Sequence, residues 1–322
     1  MIEYQDLILN NSQYNQLILS NQNCNSFLFE SKDEIFLTNF CYCFAKYLLC
    51  SSNKKPCNVC QNCQKVELLS HSDLIIYPKN NKKSILVDDI KSLIEQVYLS
   101  PIESDKKVFV LNDFSLATIQ AQNKLLKILE EPPKNVFFII GATNISKVLP
   151  TIISRCKRTR LLALSDEEIK EAIKGCQNID SIIDLAGGEL TKAVKYSLDK
   201  NFIEIYEQVI STLQDMKDSR QLIKYSSLLL SKRENFSVIL TIFESFFRDI
   251  LLIRLNKSCL IKNKNIYKTL ENLAKDYNAD GVDKIIKRIY TISKQLEANC
   301  NPTYLLDNLL LYILEVKYLC KK

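Results

Sequence analysis

The stretch from Asn123 to Ile140 constrains the fold of this chain more than any other part of the sequence. In its first half, four apolar residues recur at helical spacing and predict an amphipathic helix: Leu125, Leu126, Ile128 and Leu129. Pro132 and Pro133 end that helix, because proline lacks a backbone donor and disfavours the α conformation in the residue before it. Residues 136–140 are then continuously apolar, as expected of a strand that is covered on both faces.

About the first 160 residues repeat this alternation of apolar strands and amphipathic helices, which is typical of parallel α/β folds. The predicted strands are Ser26–Glu30, Leu74–Tyr77, Val108–Leu111, Val136–Ala142 and Arg160–Ala163. The predicted helices between them are Glu34–Leu49, Val87–Leu99, Leu116–Glu130 and Thr151–Arg155.

The rest of the chain shows helical periodicity alone. Ser165 is followed by three acidic residues, a combination typical of a helix N-cap and first turn. Gly187–Gly188 separates two short helices, and the residues after them predict five or six more, the last at Tyr304–Leu319. The 322 residues are enough for two or three domains, and the predicted division is 1–163, 164–200 and 201–322.

Composition excludes several classes of protein. No stretch approaches the roughly 20 apolar residues that span a bilayer, and the start of the chain lacks the basic and apolar regions of a signal peptide. A cytoplasmic location is therefore expected. The formal net charge of +6 is compatible with contact to nucleic acid but is too weak to indicate it.

Four of the twelve cysteines form a cluster at Cys50, Cys57, Cys60 and Cys63. The two-residue gaps between the last three let a tight turn direct successive thiolates at one tetrahedral centre, as structural zinc prefers. Four sulfur ligands leave no open coordination position, so the predicted site is structural rather than catalytic. An iron–sulfur cluster uses the same ligands, and residue identity alone leaves that alternative open. His71 is the one histidine, which excludes any mechanism that needs a histidine pair.

The segment after the first predicted strand does not have the composition of a phosphate-binding loop. Such a loop needs glycines whose backbone donors close around phosphates, and then a lysine and a serine or threonine. Here the strand runs into Ser31-Lys32-Asp33-Glu34-Ile35, and no glycine occurs before Gly141. Asp33 and Glu34 would repel any phosphate that they faced.

Two tracts carry a family resemblance: Asn123-Lys-Leu-Leu-Lys-Ile-Leu-Glu-Glu-Pro-Pro133 and Ser154-Arg155-Cys156. Together they resemble the bacterial DNA polymerase III clamp-loader family, in which a helix is followed by a sensor strand and a Ser-Arg-Cys motif. The resemblance covers nearly the whole chain. It implies an α/β AAA+-type nucleotide-binding domain with a parallel sheet and an inserted zinc module, then a small helical lid domain and an all-α C-terminal collar domain. Because the family's four-cysteine module follows the first helix of that domain, the resemblance favours zinc at the cysteine cluster.

Compared with the ATP-hydrolysing members of that family, the sequence departs at further positions. Residues 108–115 resemble the Walker B segment, but Phe114 stands where those members place the water-activating glutamate. Thr191 stands where they place an arginine of the lid helix. Together with the missing phosphate loop, these departures imply a subunit that does not hydrolyse ATP and has no cofactor-binding residues for a nucleotide. Thr143 and Asn144 lie where the first sensor residue is found, and a structural role is expected of them.

Arg155 is the residue to which the resemblance assigns a catalytic role, with Ser154 and Cys156 as its motif. A guanidinium has a rigid planar fork that suits a transferred phosphoryl group and can be supplied in trans. The resemblance therefore implies that Arg155 completes the ATP site of a neighbouring subunit. The implied partners are the gamma/tau ATPase and delta subunits of the clamp loader, and indirectly the sliding clamp and primer–template DNA.

Two functions of other classes stay open. The chain could be an ATP-hydrolysing motor subunit with an atypical phosphate loop, which ATP binding by the isolated chain would reveal. It could also be a zinc-dependent nucleic-acid-binding protein, which direct DNA binding would support. Against the second alternative, no basic and aromatic stripe of the kind that reads bases flanks the cysteines.

Overall fold

The computed structural model describes residues 3–20, 24–79, 82, 84–176, 179–199, 201–216, 218, 220, 222–230 and 236–320. Five parallel strands form one sheet in the order β2-β3-β4-β1-β5. The strands are β1 Ser26–Glu30, β2 Leu74–Tyr77, β3 Lys107–Leu111, β4 Val136–Ala142 and β5 Lys157–Arg160. The predicted parallel α/β sheet is confirmed.

The chain separates into two compact units, one of residues 1–172 and 188–191 and one of residues 173–187 and 192–322. The helices of the first unit are α1 Gln5–Asn10, α2 Ser12–Ser20, α3 Glu34–Leu49, α4 Gln61–Glu67, α5 Val87–Val97, α6 Ile119–Glu130, α7 Pro150–Ile153 and α8 Asp166–Ala172. Then follow α9 Ile179–Ala186, α10 Leu190–Leu198, α11 Phe202–Asp215, α12 Leu222–Leu229, α13 Phe236–Arg254, α14 Tyr267–Ala274, α15 Ala279–Glu297 and α16 Pro302–Cys320. The three-domain division stays a prediction, and its boundary residues 200 and 322 lie outside the described residues.

Helices cover both faces of the sheet. Leu28 of β1 belongs to a buried cluster that includes Leu93 of α5 and Leu125 of α6. On the opposite face, the neighbouring Phe27 and Phe29 pack against Phe44 of α3, with ring centroids 4.8 and 5.2 Å apart. Successive side chains of the strand therefore enter two different cores. This explains why the middle residues of the inner strands are continuously apolar rather than alternating.

The last strand differs from its prediction. The sequence predicts a strand at Arg160–Ala163, whereas β5 covers Lys157–Arg160. β5 pairs with β1 and lies at the edge of the sheet, so its side chains alternate between half-buried and exposed. Because an edge strand need not be apolar, apolar residues were a poor guide to its position. The helix before it is also shorter than predicted and ends at Ile153, which leaves Arg155 in a turn.

The second unit is organised around α13, which packs against α9, α11, α14 and α15. Asp249 of α13 is fully buried and accepts hydrogen bonds from the backbone N–H groups of Lys262 and Asn263, at 3.2 and 2.8 Å. The Asn263 side chain donates a third, at 2.7 Å. Because a buried carboxylate is costly unless it is paired, these bonds fix the loop that precedes α14. Within the described part of the chain, no helix has both the length and the apolar character needed to cross a membrane.

Candidate functional site

The four predicted cysteines come together in one cluster between α3 and α4. Their sulfur atoms all lie within 4.8 Å of one another. The distance from Cys50 Sγ to Cys60 Sγ is 4.0 Å, and that from Cys57 Sγ to Cys63 Sγ is 3.9 Å. Thiolates around an ion with metal–sulfur bonds of about 2.3 Å form a tetrahedron with edges of about 3.8 Å. The cluster therefore fits a tetrahedral metal ion.

Backbone donors surround the sulfur atoms. The N–H groups of Cys57, Cys60 and Cys63 each approach the sulfur of the preceding cysteine in the cluster, at 3.4, 3.3 and 3.4 Å. Burial raises the pKa of Cys60, but hydrogen bonds from Cys63 and Ser51 outweigh it and lower the pKa to about 6. The backbone N–H of Val59 is the main cause of a lowered pKa at Cys57, whereas burial raises the pKa of Cys63. At these two sulfurs the hydrogen bonds therefore shift the equilibrium toward the thiolate form that binds metals.

The cluster is attached to the rest of the first unit by polar contacts. Asn62 donates from its side chain to the carbonyl of Leu49, the last residue of α3, at 3.0 Å. Lys46 has a fully buried side chain whose ammonium group donates to Gln5 at 2.7 Å and to Glu67 at 2.8 Å. Since these residues lie on α1, α3 and α4, one buried charge ties three helices together.

A second site lies where β1 leads into α3. Asp33 is 5% exposed and is the N-cap of α3, accepting from the backbone N–H of Phe36 at 3.0 Å. Its carboxylate also accepts from the N–H groups of Leu190 and Thr191 and, at 2.6 Å, from the Thr191 hydroxyl. The Thr191 oxygen accepts in turn from the N–H of Ile35 at 2.9 Å.

These contacts occupy the N-terminus of α3. A helix N-terminus after a strand offers unpaired N–H groups and a partial positive charge, which together attract anions. Here the carboxylate of Asp33 is that anion, and the Thr191 hydroxyl satisfies a further N–H. The sequence predicts that the Asp33 carboxylate would repel phosphate. In the structure the same carboxylate also joins the start of α3 to Leu190 and Thr191, a contact that the sequence did not indicate.

The segment that reaches Asp33 depends on Gly188. This glycine has φ +83°, a left-handed conformation that other residues rarely adopt. A Cβ atom there would lie 2.6 Å from the carbonyl oxygen of Leu164, and the Gly188 carbonyl accepts from the Leu164 N–H at 3.0 Å. Leu190 and Thr191 follow two and three residues later.

The acidic residue at the end of β3 is also fully engaged within the chain. Asp113 accepts from the backbone N–H of Thr143 at 3.0 Å and from its hydroxyl at 2.9 Å. The hydroxyl of Ser115 donates to the same carboxylate at 2.6 Å and accepts from the N–H of Asn144 at 2.9 Å. These contacts join the ends of β3 and β4, so the structural role expected of Thr143 and Asn144 agrees with their contacts. Phe114 is fully buried beside them.

Arg155 lies in the turn between α7 and β5. Its Nε donates to Oε1 of Glu130 at 2.9 Å, its Nη2 donates to the same oxygen, and its Nη1 donates to the Thr151 carbonyl at 2.8 Å. Ser154 donates to that carbonyl as well, at 3.1 Å. Burial raises the pKa of Cys156 to about 12, so this thiol stays protonated at neutral pH.

Sequence reasoning missed Gln122, which holds the segment that leads into α7. Gln122 is 1% exposed and donates from its side chain to the carbonyls of Ala117 and Lys147, at 3.2 and 3.0 Å. Its side-chain oxygen accepts from the N–H of Leu149 at 2.8 Å. A single amide thus links α6 to the segment that leads into α7. The available signal was a glutamine on the buried face of an amphipathic helix.

Two family profiles match this chain. The profile described as DNA polymerase III, delta subunit, matches residues 10–165, and the one described as DNA polymerase III, delta subunit, C terminal, matches residues 200–315. The two matches follow one another and together include most of the sequence.

Individual relatives point in the same direction. DNA polymerase III subunit delta′ of Bacillus subtilis is 23% identical over 303 residues, which are 90% of this chain and 91% of that one. DNA polymerase III subunit tau of Escherichia coli is 31% identical over 159 residues, so the match spans 49% of this chain and only 24% of tau. A Thermotoga maritima structure described as DNA polymerase III, gamma subunit-related, covers 95% of this chain and 98% of its own at 18% identity. Its TM-score of 0.49 is too low to establish a common overall fold.

The Asp33 contacts predict a large loss of stability when the carboxylate is removed. Asp33→Ala leaves a helix without its N-cap and three further donors without their acceptor, so the free energy of unfolding should fall by about 3 kcal/mol. Asp33→Asn keeps one acceptor oxygen and should lose less. Urea unfolding followed by circular dichroism measures both.

Glu34→Ala is the matched control, because Glu34 is the adjacent carboxylate, is exposed, and should change the free energy of unfolding by less than about 0.5 kcal/mol. If Asp33→Ala were as stable as this control, the four hydrogen bonds would not hold α3 and the Leu190 segment together.

Proposed function

The chain belongs to the DNA polymerase III delta-subunit family, and we propose that it acts as a delta-prime-like subunit of the bacterial clamp loader. In that role it helps to load the sliding clamp on primed DNA. The observation that carries this proposal is the match to the Bacillus subtilis delta′ subunit over 90% of the chain, with both family profiles in sequence order.

The proposed partners are the gamma/tau ATPase subunits and the delta subunit, in the cytoplasm. The related tau and gamma proteins carry the names of such subunits. The sliding clamp and primer–template DNA are indirect partners, reached through the assembled complex. Residues 201–322, the proposed collar, supply the contacts that hold the subunits together, and residues 164–200 are the proposed lid. A pull-down with purified gamma/tau and delta subunits tests the assembly directly.

We propose further that this subunit does not use ATP. The Asp33 carboxylate supports this. It accepts a hydrogen bond at the start of α3, where a phosphate would need the backbone donors, and it also binds the N–H and the hydroxyl of Thr191. Asp113 supports it as well, since its carboxylate accepts three hydrogen bonds from Ser115 and Thr143. A phosphate and its magnesium ion would have to displace both sets of contacts.

The isolated chain should therefore show neither saturable ATP binding nor ATP turnover. Calorimetric titration with ATP and Mg²⁺ measures binding, and phosphate release measures turnover. Turnover near 1 s⁻¹, about the slow end for phosphoryl-transfer enzymes, would favour the motor-subunit alternative. Such activity must follow the protein peak across a final column, so that a contaminating ATPase is distinguished.

We propose zinc as the ion held by Cys50, Cys57, Cys60 and Cys63. Zinc has no preferred geometry of its own and adopts the tetrahedral four-sulfur arrangement that the cluster offers. With four protein ligands the ion would leave no position for substrate, so it would stabilise the fold of the module and take no part in catalysis.

Metal analysis of protein purified without chelator should find about one zinc per chain. Cys60→Ser should lose the ion, because serine is a poor zinc ligand, and should loosen the module while the second unit keeps its helical circular dichroism. Cys300→Ser, at an exposed cysteine outside the cluster, is the control and should keep the metal. Iron in place of zinc would overturn the assignment of the ion, and a metal-free wild-type protein would overturn the site.

We also propose that Arg155 acts in trans on ATP held by a neighbouring subunit, where its guanidinium stabilises charge that develops on the γ-phosphate. Its partial exposure, 32% of the side chain, leaves it accessible to such a partner. Because the positions for phosphate and magnesium in its own chain are filled, a neighbour's site is the place where this arginine can act.

Arg155→Ala should leave folding and assembly nearly intact and slow DNA-stimulated ATP hydrolysis and clamp loading. An arginine finger supplied in trans is worth roughly 10³ or more in small GTPases, but the fall should be smaller here, since one of several ATP sites loses it. Arg155→Lys should restore little, because a point charge cannot replace the planar fork.

The control is Arg158→Ala, which removes a comparable surface pair with Glu30 on the next strand. ATP turnover of the reconstituted complex with clamp and primed DNA is the measurement. Wild-type turnover in the Arg155→Ala complex would make Arg155 an ordinary surface arginine.

A further inference from the structure

The guanidinium of Arg155 is held from one side by a single carboxylate. Nε and Nη2, which form one edge of the planar group, both donate to Oε1 of Glu130. Nη1 donates to the backbone carbonyl of Thr151. The arginine is therefore fixed by two acceptors on two different helices, α6 and α7.

One N–H of this guanidinium has no acceptor in the described part of the chain. An arginine side chain has five N–H groups. Two donate to Glu130, one donates to Thr151, and one lies 3.5 Å from the Ser154 hydroxyl, at the limit of a hydrogen bond. The remaining N–H belongs to Nη2 and, because the group is planar, is directed away from the edge that Glu130 occupies. That N–H and the weakly bound one on Nη1 can be offered to an external phosphate.

Glu130 is well suited to hold the arginine in place. It is the last residue of α6, a helix anchored by buried Leu125, Ile128 and Leu129, and Pro132 follows two residues later. The carboxylate therefore projects from a fixed point. Its side chain is 49% exposed, and an exposed ion pair usually contributes little to stability. Because such a pair adds little to stability, its main consequence is the orientation of Arg155.

We infer that Glu130 is a positioning residue for Arg155: it holds one edge of the guanidinium so that the other edge is presented to the partner's ATP. This inference rests on the proposed action of Arg155 in trans. The opposite role, in which Glu130 sequesters the arginine until the partner binds, predicts a change of rate in the other direction and can be told apart by experiment.

The experiment uses the reconstituted loader with clamp and primed DNA and measures kcat and KM for ATP. Glu130→Ala should lower kcat roughly two- to fivefold, the factor that corresponds to the usual strength of an exposed ion pair. KM for ATP and the unfolding midpoint of the isolated chain should stay unchanged. Glu130→Gln, which keeps an acceptor oxygen without the charge, should recover part of the rate.

Two further variants make the test specific. Glu131→Ala, at the adjacent exposed carboxylate, should behave as wild type. The double variant Glu130→Ala, Arg155→Ala should be no slower than Arg155→Ala alone, because a positioning residue has no effect once its target is gone.

The remaining outcomes overturn the inference. A Glu130→Ala complex at the wild-type rate shows that the arginine does not need the carboxylate, and a faster one shows that Glu130 sequesters it. A double variant slower than Arg155→Ala places the effect of Glu130 elsewhere. If Arg155→Ala itself has wild-type turnover, the action in trans is wrong and the positioning role is overturned with it. A slow Arg155→Ala complex with a normal Glu130→Ala complex overturns only the role of Glu130.

Discussion

The carboxylate of Asp33 is the contact on which the first unit depends. A helix that begins after a central strand carries unpaired N–H groups and a partial positive charge at its start, and these must find acceptors. In a nucleotide-binding fold a phosphate can provide them reversibly. Here a side chain provides them permanently, and the same carboxylate binds a backbone N–H 157 positions later in the chain. The start of α3 is therefore satisfied by an internal structural contact.

Other polar groups of the first unit are also paired within the chain. The carboxylate of Asp113 accepts hydrogen bonds from Ser115 and Thr143 and so joins the ends of β3 and β4. Arg155 is partly exposed, and two residues of α6 act on the region around it. Buried Gln122, near the start of α6, binds the segment before α7. Glu130, at the end of α6, binds the guanidinium of Arg155. Hydrogen bonds of a buried amide leave little freedom, so the segment that leads into α7 is held in place by the fold.

Local patterns were readable from the sequence, and contacts between distant residues were not. Periodicity predicts the observed positions of four elements, namely β1, β2, β4 and α3. The spacing of the cysteines is enough to predict that their four sulfur atoms lie together. The predicted position of β5 is wrong because an edge strand can be polar, so apolar residues do not mark where it lies. The sequence identifies Asp33 as a charge that repels phosphate. It does not identify Leu190 and Thr191 as the hydrogen-bond donors to Asp33, because only the tertiary structure brings these residues together. Glu130 and Arg155 lie 25 positions apart on separate elements, so no spacing rule links them.

An internal carboxylate differs from a bound phosphate in one decisive respect: it cannot dissociate. Its effective concentration at the helix start is set by the chain, so a competing nucleotide must displace four hydrogen bonds that cost no association entropy to form. If this subunit does not bind ATP, as proposed, the contacts around α3 stay the same whatever the nucleotide concentration. In the proposed complex, ATP-dependent movement therefore has to arise in the partner subunits. The chain would then act on their reaction through groups on its own surface, and the proposed role of Arg155, held by Glu130 and Thr151, is of that kind.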